Sequence, residues 1–199
     1  FRRPNGEIIA AFTAAETYEM VEEAHRLGCK VATHAYGREA VMYAAKAGVD
    51  LVFHAFYMDD ACIEALLEAG SVLAPTMTFP QNTVDFCQPH DPAISTGYAA
   101  YCARTLELGA PVLKRAKAAG VPFACGSDSG FAVTPYGEWH ARELELLVRH
   151  LDFTPAEALF AATHVGARLM PRGETLGTLE PGKQADLLVL DGSPLDDIR

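Results

Sequence analysis

The sequence predicts an α/β fold in which helices alternate with the strands of a parallel sheet, and three observations carry that expectation. Four segments, RLGCKVATHA, KAGVDLVFHA, EAGSVLAPTM and AAGVPFACGS, repeat one design: a helix-ending glycine followed by a short apolar run. Apolar residues recur at helical spacing between these runs, and two of the helices open on capping boxes, Thr13 to Glu16 and Thr154 to Glu157. The register also repeats, since His34 lies six residues after Gly28, His54 six after Gly48, Thr76 six after Gly70 and Gly126 six after Gly120. Equivalent positions on successive parallel strands finish on one rim, so the two histidines are expected to be neighbours with Asp128 close by. That rim is where parallel α/β folds carry their chemistry.

Taken in order, the Thr13 box starts a helix carried by Thr17, Met20, Val21, Ala24 and Leu27 and stopped at Gly28. A strand follows from Lys30 to Ala35, then an Ala-rich helix from Arg38 to Ala47 and a strand from Asp50 to Phe56. Asp59 or Asp60 opens the next helix, Gly70 stops it, and Ser71 to Met77 reads as a third strand. Phe79 to Thr96 is expected to be a long polar loop, a lid or one wall of a pocket. Tyr98 to Ala119 is helical with a break or kink at Gly109 and Pro111. Val121 to Gly130, VPFACGSDSG, is the fourth strand and its turn, which presents Asp128 just past the strand end. A second long loop, Ser129 to Tyr136, precedes a helix through His140, Leu144 and Leu147, and the Thr154 box opens a helix running to about Met170. Asp186 to Leu190 reads as an apolar strand of a small β-structure.

The 199 residues carry a net charge of −10 with no basic stripe, which argues against nucleic acid and against an anionic membrane surface as partners. No apolar run approaches the roughly 20 residues of a spanning helix. The opening FRRPNGEIIAAF has neither a signal-peptide core nor an initiator Met, so a piece cut from a longer protein is expected. Five cysteines at 29, 62, 87, 102 and 125, without a CxxC, read as reduced and structural in a cytoplasmic setting.

Two strand-end histidines and one strand-end carboxylate form a donor set suited to zinc and similar ions, which polarise carbonyls and convert bound water to hydroxide near neutral pH. Asp128 could serve both as ligand and as the base that takes the water proton. His25, His90, His140, His150 and His164 read as hydrogen-bonded structural histidines, whereas the shared register singles out His34 and His54. Thr76 and His140 are weaker candidates for lining a pocket, and Arg38 or Arg142 for clamping a carboxylate, a role that a surface arginine matches equally well.

His34 in THAYG, His54 in FHAFYMDD, APT at 74 to 76, GSDSG at 126 to 130, TPAEAL at 154 to 159 and GTLEPGKQADLLVLDGSPLDDI at 177 to 198 together resemble the amidohydrolase superfamily, in its imidazolonepropionase-like and metal-dependent Xaa-Pro dipeptidase-like branch. The resemblance covers essentially the whole chain. It implies the C-terminal half of a (β/α)8 TIM-type barrel in residues 1–172, strands five to eight, and the C-terminal strands of a small β-sandwich domain in residues 173–199. On that pattern His34 and His54 are the metal ligands of strands five and six, and Asp128 is the ligand and proton shuttle of strand eight. The family's His-x-His pair and its carboxylated lysine have no counterpart here, and a whole barrel takes about 250 residues, so the resemblance implies an N-terminal half elsewhere. Deaminating relatives follow the fifth-strand histidine with H-A-x-E; this chain has H-A-Y-G, which favours hydrolysis of an amide-like C–N bond. Tyr36 would point at the substrate carbonyl or carboxylate. The implied enzyme holds one or two divalent ions, zinc first, takes a small-molecule substrate and assembles as a homo-oligomer; a metal-free scaffold relative is the alternative.

Overall fold

A computed structural model describes residue 3, residues 6–86 and residues 96–199. The chain forms two compact units, one from Phe1–Pro75 with Gly109–Phe123 and one from Thr76–Leu108 with Ala124–Arg199.

The first unit is built on a parallel sheet of order β1-β2-β3, with β1 at Ala32–Gly37, β2 at Leu51–Tyr57 and β3 at Val72–Ala74. Helices α1 (Ala14–Arg26), α2 (Arg38–Ala47) and α3 (Asp60–Ala69) alternate with the strands, as the repeat requires. The Thr13 capping box is formed: Glu16 N–H donates to Thr13 Oγ1 at 3.2 Å, and Thr13 N–H donates to Glu16 Oε2 at 2.8 Å. Gly48 and Gly70 cap α2 and α3 at φ 81° and 68°, the left-handed conformation that a Cβ disfavours. Val41, Val49, Val52, Leu66, Leu73 and Leu113 are fully or nearly fully buried and form the core.

The fourth expected strand shrinks to a single parallel bridge between Leu73 and Phe123, with Leu73 N–H donating to Pro122 O at 2.9 Å. Pro122 has no N–H to return, so a ladder cannot extend through it.

Helix α5 (Thr96–Ala119) runs unbroken through Gly109 and Pro111, against the expected interruption. Packing explains the glycine: a Cβ on Gly109 would stand 2.4 Å from Cδ1 of Phe56, a ring that is itself buried. Gly109→Ala is therefore expected to destabilise the protein by about 1–3 kcal/mol despite alanine's better helix propensity, measured by denaturant unfolding. A neutral or stabilised variant would remove this packing argument.

In the second unit the expected loop after residue 78 is instead helix α4 (Thr78–Phe86); residues 87–95 of that expectation, with Cys87 and His90, lie outside the described residues. Its first donors are satisfied from far along the chain: Glu143 Oε1 accepts from Met77 N–H at 2.9 Å, and Oε2 from Thr78 N–H at 2.7 Å. Glu143 belongs to α6 (His140–Leu151), whose Leu146, Leu147 and Leu151 are completely buried. The Thr154 box opens α7 (Pro155–Phe160), which continues through a π-turn at Ala161–Val165 into α8 (Gly166–Leu169). The strand expected at Asp186 to Leu190 is not formed, and Leu188 and Val189 are 87% and 90% exposed. A strand needs a neighbour for its N–H and C=O groups, and the described residues offer it none.

Among the described residues Cys29, Cys62, Cys102 and Cys125 are free thiols, Cys62 and Cys102 buried and Cys29 exposed. Burial pushes the Cys62 thiol up to about 11 and the Cys125 thiol up to about 12, so neither is a thiolate near neutral pH. Among the described residues no helix is long and apolar enough to cross a membrane.

Candidate functional site

The expected histidine pair is formed on the first unit, by a less regular route than simple register. Backbone pairing sets His34 opposite Phe53 and Ala35 opposite His54, and the register then shifts between Ala35 and Gly37. His54 has φ 75° and Ala55 φ 54°, which takes β2 out of strict side-chain alternation at this point. The outcome is a close contact: Nε2 of His54 lies 2.8 Å from Nδ1 of His34, with the rings edge to face at 4.4 Å. His34 is exposed, whereas His54 is 3% exposed.

Electrostatics keeps the buried ring neutral. Burial, reinforced by the neighbouring His34, pushes the His54 pKa down to about 3, so its imidazole stays uncharged across the physiological range. A neutral imidazole is the form that binds a metal. Two convergent imidazole nitrogens, one of them barred from protonation by its surroundings, fit two positions of a zinc-type donor set. Among the described residues no three His, Cys, Asp or Glu side chains gather into a complete one.

Tyr36 joins the pair, its ring 4.5 Å from His54 and 5.1 Å from His34. A phenol beside two imidazoles at a strand end can hold a hydrogen bond to a ligand oxygen there.

Asp128, Thr76 and His140 belong to the second unit. Asp128 is half-buried at φ 52°, and Thr76 is buried at φ 55°. Non-glycine residues held in that region collect at functional sites because the surrounding structure has to impose the conformation. His54, Thr76 and Asp128, each chosen from sequence position, all show it. His140 is exposed at the start of α6, with Nδ1 3.5 Å from Ser127 Oγ, which lies 2.7 Å from Ser129 Oγ. It also lines a cavity of about 750 Å³ with Cys125, Leu144, Leu159, Leu188 and Leu190.

The two candidate arginine clamps are engaged elsewhere. Arg38 pairs with Asp59, and Arg142 bridges Asp85 and Glu145 at 2.6 Å each. Their neighbours use these guanidinium groups to tie elements together, which the sequence does not distinguish from substrate binding.

Glu143 is the residue that sequence reasoning missed. Besides the two amides, it accepts the Thr78 hydroxyl at 2.6 Å, and its carboxylate is completely buried. The signal was a glutamate in register with the apolar stripe of Leu146, Leu147 and Leu151 on a helix otherwise patterned for burial. Burial pushes its pKa up to about 7 against the opposing effect of the donors around it.

Known proteins resemble this chain in sequence and, for solved structures, in fold. Over 198 residues, 99% of this chain and 40% of its relative, the chain is 29% identical to the ochratoxinase of Aspergillus niger. It is 35% identical to the imidazolonepropionase of Nocardia farcinica over 151 residues, which cover 76% of this chain and 32% of that one. The crystal structure of a Xaa-Pro dipeptidase with methionine bound in the active site superposes with a TM-score of 0.80 at 30% identity, over 94% of this chain and 45% of the other. The chain thus spans less than half the length of these proteins. The family model of the amidohydrolases matches residues 9–199, so the chain that carries the His34–His54 pair belongs to the amidohydrolase family.

Proposed function

We propose that this chain is part of a metal-dependent hydrolase that cleaves the C–N bond of an amide-like substrate: a dipeptide, N-acyl amino acid, lactam, carbamate or urea. The observation that carries the reading is the His34–His54 pair, two ring nitrogens 2.8 Å apart with the buried ring kept neutral. His34 and His54 are the ligands supplied by this part of the protein, Asp128 is a further ligand, and the remaining ligands come from residues outside this chain. One or two divalent ions, zinc first, would supply Lewis acidity toward a carbonyl and acidify a bound water.

The protein's own groups do the rest. Asp128 accepts the proton of the attacking water and delivers it to the leaving nitrogen, which must be protonated before the C–N bond can break productively. Tyr36 donates its hydroxyl to the substrate carbonyl or carboxylate oxygen, and Thr76 and His140 line the pocket. In this reading residues 1–172 are strands five to eight of a (β/α)8 barrel and residues 173–199 contribute to a small β-sandwich. The apolar run at 187–190, exposed and without a strand partner among the described residues, would then gain one. A homo-oligomer in the cytoplasm completes the proposal.

The test is elemental analysis of the full-length protein beside its His34→Ala variant, with hydrolysis of Xaa-Pro dipeptides and N-acyl amino acids followed in parallel. One or two equivalents of a divalent ion, reduced at least severalfold in His34→Ala together with activity, is the expected result. A folded protein that takes up no ion on dialysis and is indifferent to the substitution would replace this reading with a metal-free scaffold.

A further inference from the structure

We infer that Thr134 and Asn82 are positioning residues for Asp128, an inference that rests on the proton-carrying role proposed for that carboxylate. Asp128 stands at φ 52°, a left-handed conformation that aspartate tolerates better than most residues but that surrounding contacts must select over the ordinary β and αR regions. The hold is visible. Thr134, completely buried, donates its hydroxyl to Asp128 O at 3.0 Å. The same residue closes the turn around that contact, since Gly130 N–H donates to Thr134 O at 2.8 Å and Thr134 N–H to Phe131 O at 3.0 Å.

The turn is in turn fastened to α4. Asn82, also completely buried, donates Nδ2–H to Val133 O at 2.9 Å, and the ring of Phe79 lies 4.5 Å from that of Phe131. Helix α4 is itself pinned at its first residues by Glu143 of α6. A continuous set of directed hydrogen bonds between buried groups therefore runs from α6 through α4 to the carbonyl of Asp128. None of these groups is needed to close a helix or a sheet ladder around Asp128; their shared effect is to fix one backbone conformation that would otherwise relax. Neither Thr134 nor Asn82 reacts. They act through Asp128, by setting where its carboxylate points, and a displacement near 1 Å at a reacting group costs up to roughly a hundredfold in rate.

The experiment uses the full-length protein with its divalent ion and L-methionyl-L-proline as the probe. Thr134→Val keeps the volume and removes the hydroxyl, while Thr134→Ser restores the hydroxyl. The expected result is a fall in kcat of roughly 10- to 100-fold in the valine variant with KM changed less than about threefold, and recovery of most of the rate in the serine variant. Amide hydrogen exchange gives a second readout that does not need hydrolysis: Gly130 and Thr134 exchange at least about tenfold faster in the valine variant and near the parent rate in the serine variant. A valine variant with the parent kcat, beside an inactive Asp128→Asn, overturns the inference. If Asp128→Asn keeps full activity, the hydrolase role of Asp128 fails by itself, and the exchange data decide alone; unchanged protection in the valine variant then overturns the positioning as well.

Discussion

Asp128→Asn is expected to lower kcat for C–N bond hydrolysis by about a thousandfold while leaving the protein folded. Asparagine is isosteric with aspartate and is among the few residues that tolerate the left-handed region, so the φ of 52° survives the change. The carbonyl that accepts from Thr134 is backbone and is likewise kept. What is lost is the negative charge, with it the carboxylate's share in holding the ion, and the capacity to take up a proton. That separation makes asparagine a sharper probe than alanine, which would add backbone relaxation to the chemical loss. The measurement is steady-state hydrolysis by the full-length protein beside a thermal unfolding scan. A kcat within about tenfold of the parent, in a variant with unchanged melting, would remove Asp128 from proton transfer.

Glu143→Ala is expected to have the largest effect on stability, about 3–5 kcal/mol, because it strands several donors that are buried together, among them two amides at the start of α4 and the Thr78 hydroxyl. Glu143→Gln retains one acceptor oxygen but turns an amino group toward a donor, and about 1–3 kcal/mol is the expected loss. The parent should also depend on pH through this residue. Burial raises the folded pKa to about 7, above the unfolded value near 4.5, so between these values the folded state binds more protons than the unfolded one. The contribution is therefore complete below about pH 4.5 and is lost as pH rises through about 7, a change of about 3 kcal/mol across the window. Denaturant unfolding of the parent and of Glu143→Gln at pH 5 and pH 8 reads it out. If the two proteins lose stability equally between those pH values, Glu143 does not titrate with folding.

The site was legible where local chemistry repeats. Histidines six residues past helix-ending glycines could be expected on one strand-end rim, and His34 and His54 meet there. Thr76, at the same spacing, and Asp128, two residues past the equivalent Gly126, both have left-handed backbone, φ 55° and 52°. The roles of Arg38 and Arg142 were illegible, because an arginine's partner depends on which carboxylate the fold brings to it. For the same reason the sequence predicts a loop where α4 forms: Phe79 to Phe86 has a weak helical pattern, and the acceptors for its first amides lie 65 residues or more away on Glu143.

By itself, then, the sequence determined the alternation of helices and strands, the parallel sheet and the meeting of His34 with His54 on its rim, since these follow from period, glycine stops and capping boxes within a few residues of one another. Tertiary structure alone decided that His54 turns to meet His34 in a register one residue out of step, that Glu143 satisfies the first amides of α4, and that Asn82 of α4 bonds to the carbonyl of Val133 beside Thr134. The physical reason is common to all three: each depends on a hydrogen bond or packing contact between groups 20 or more residues apart in the chain, and only folding brings such groups together.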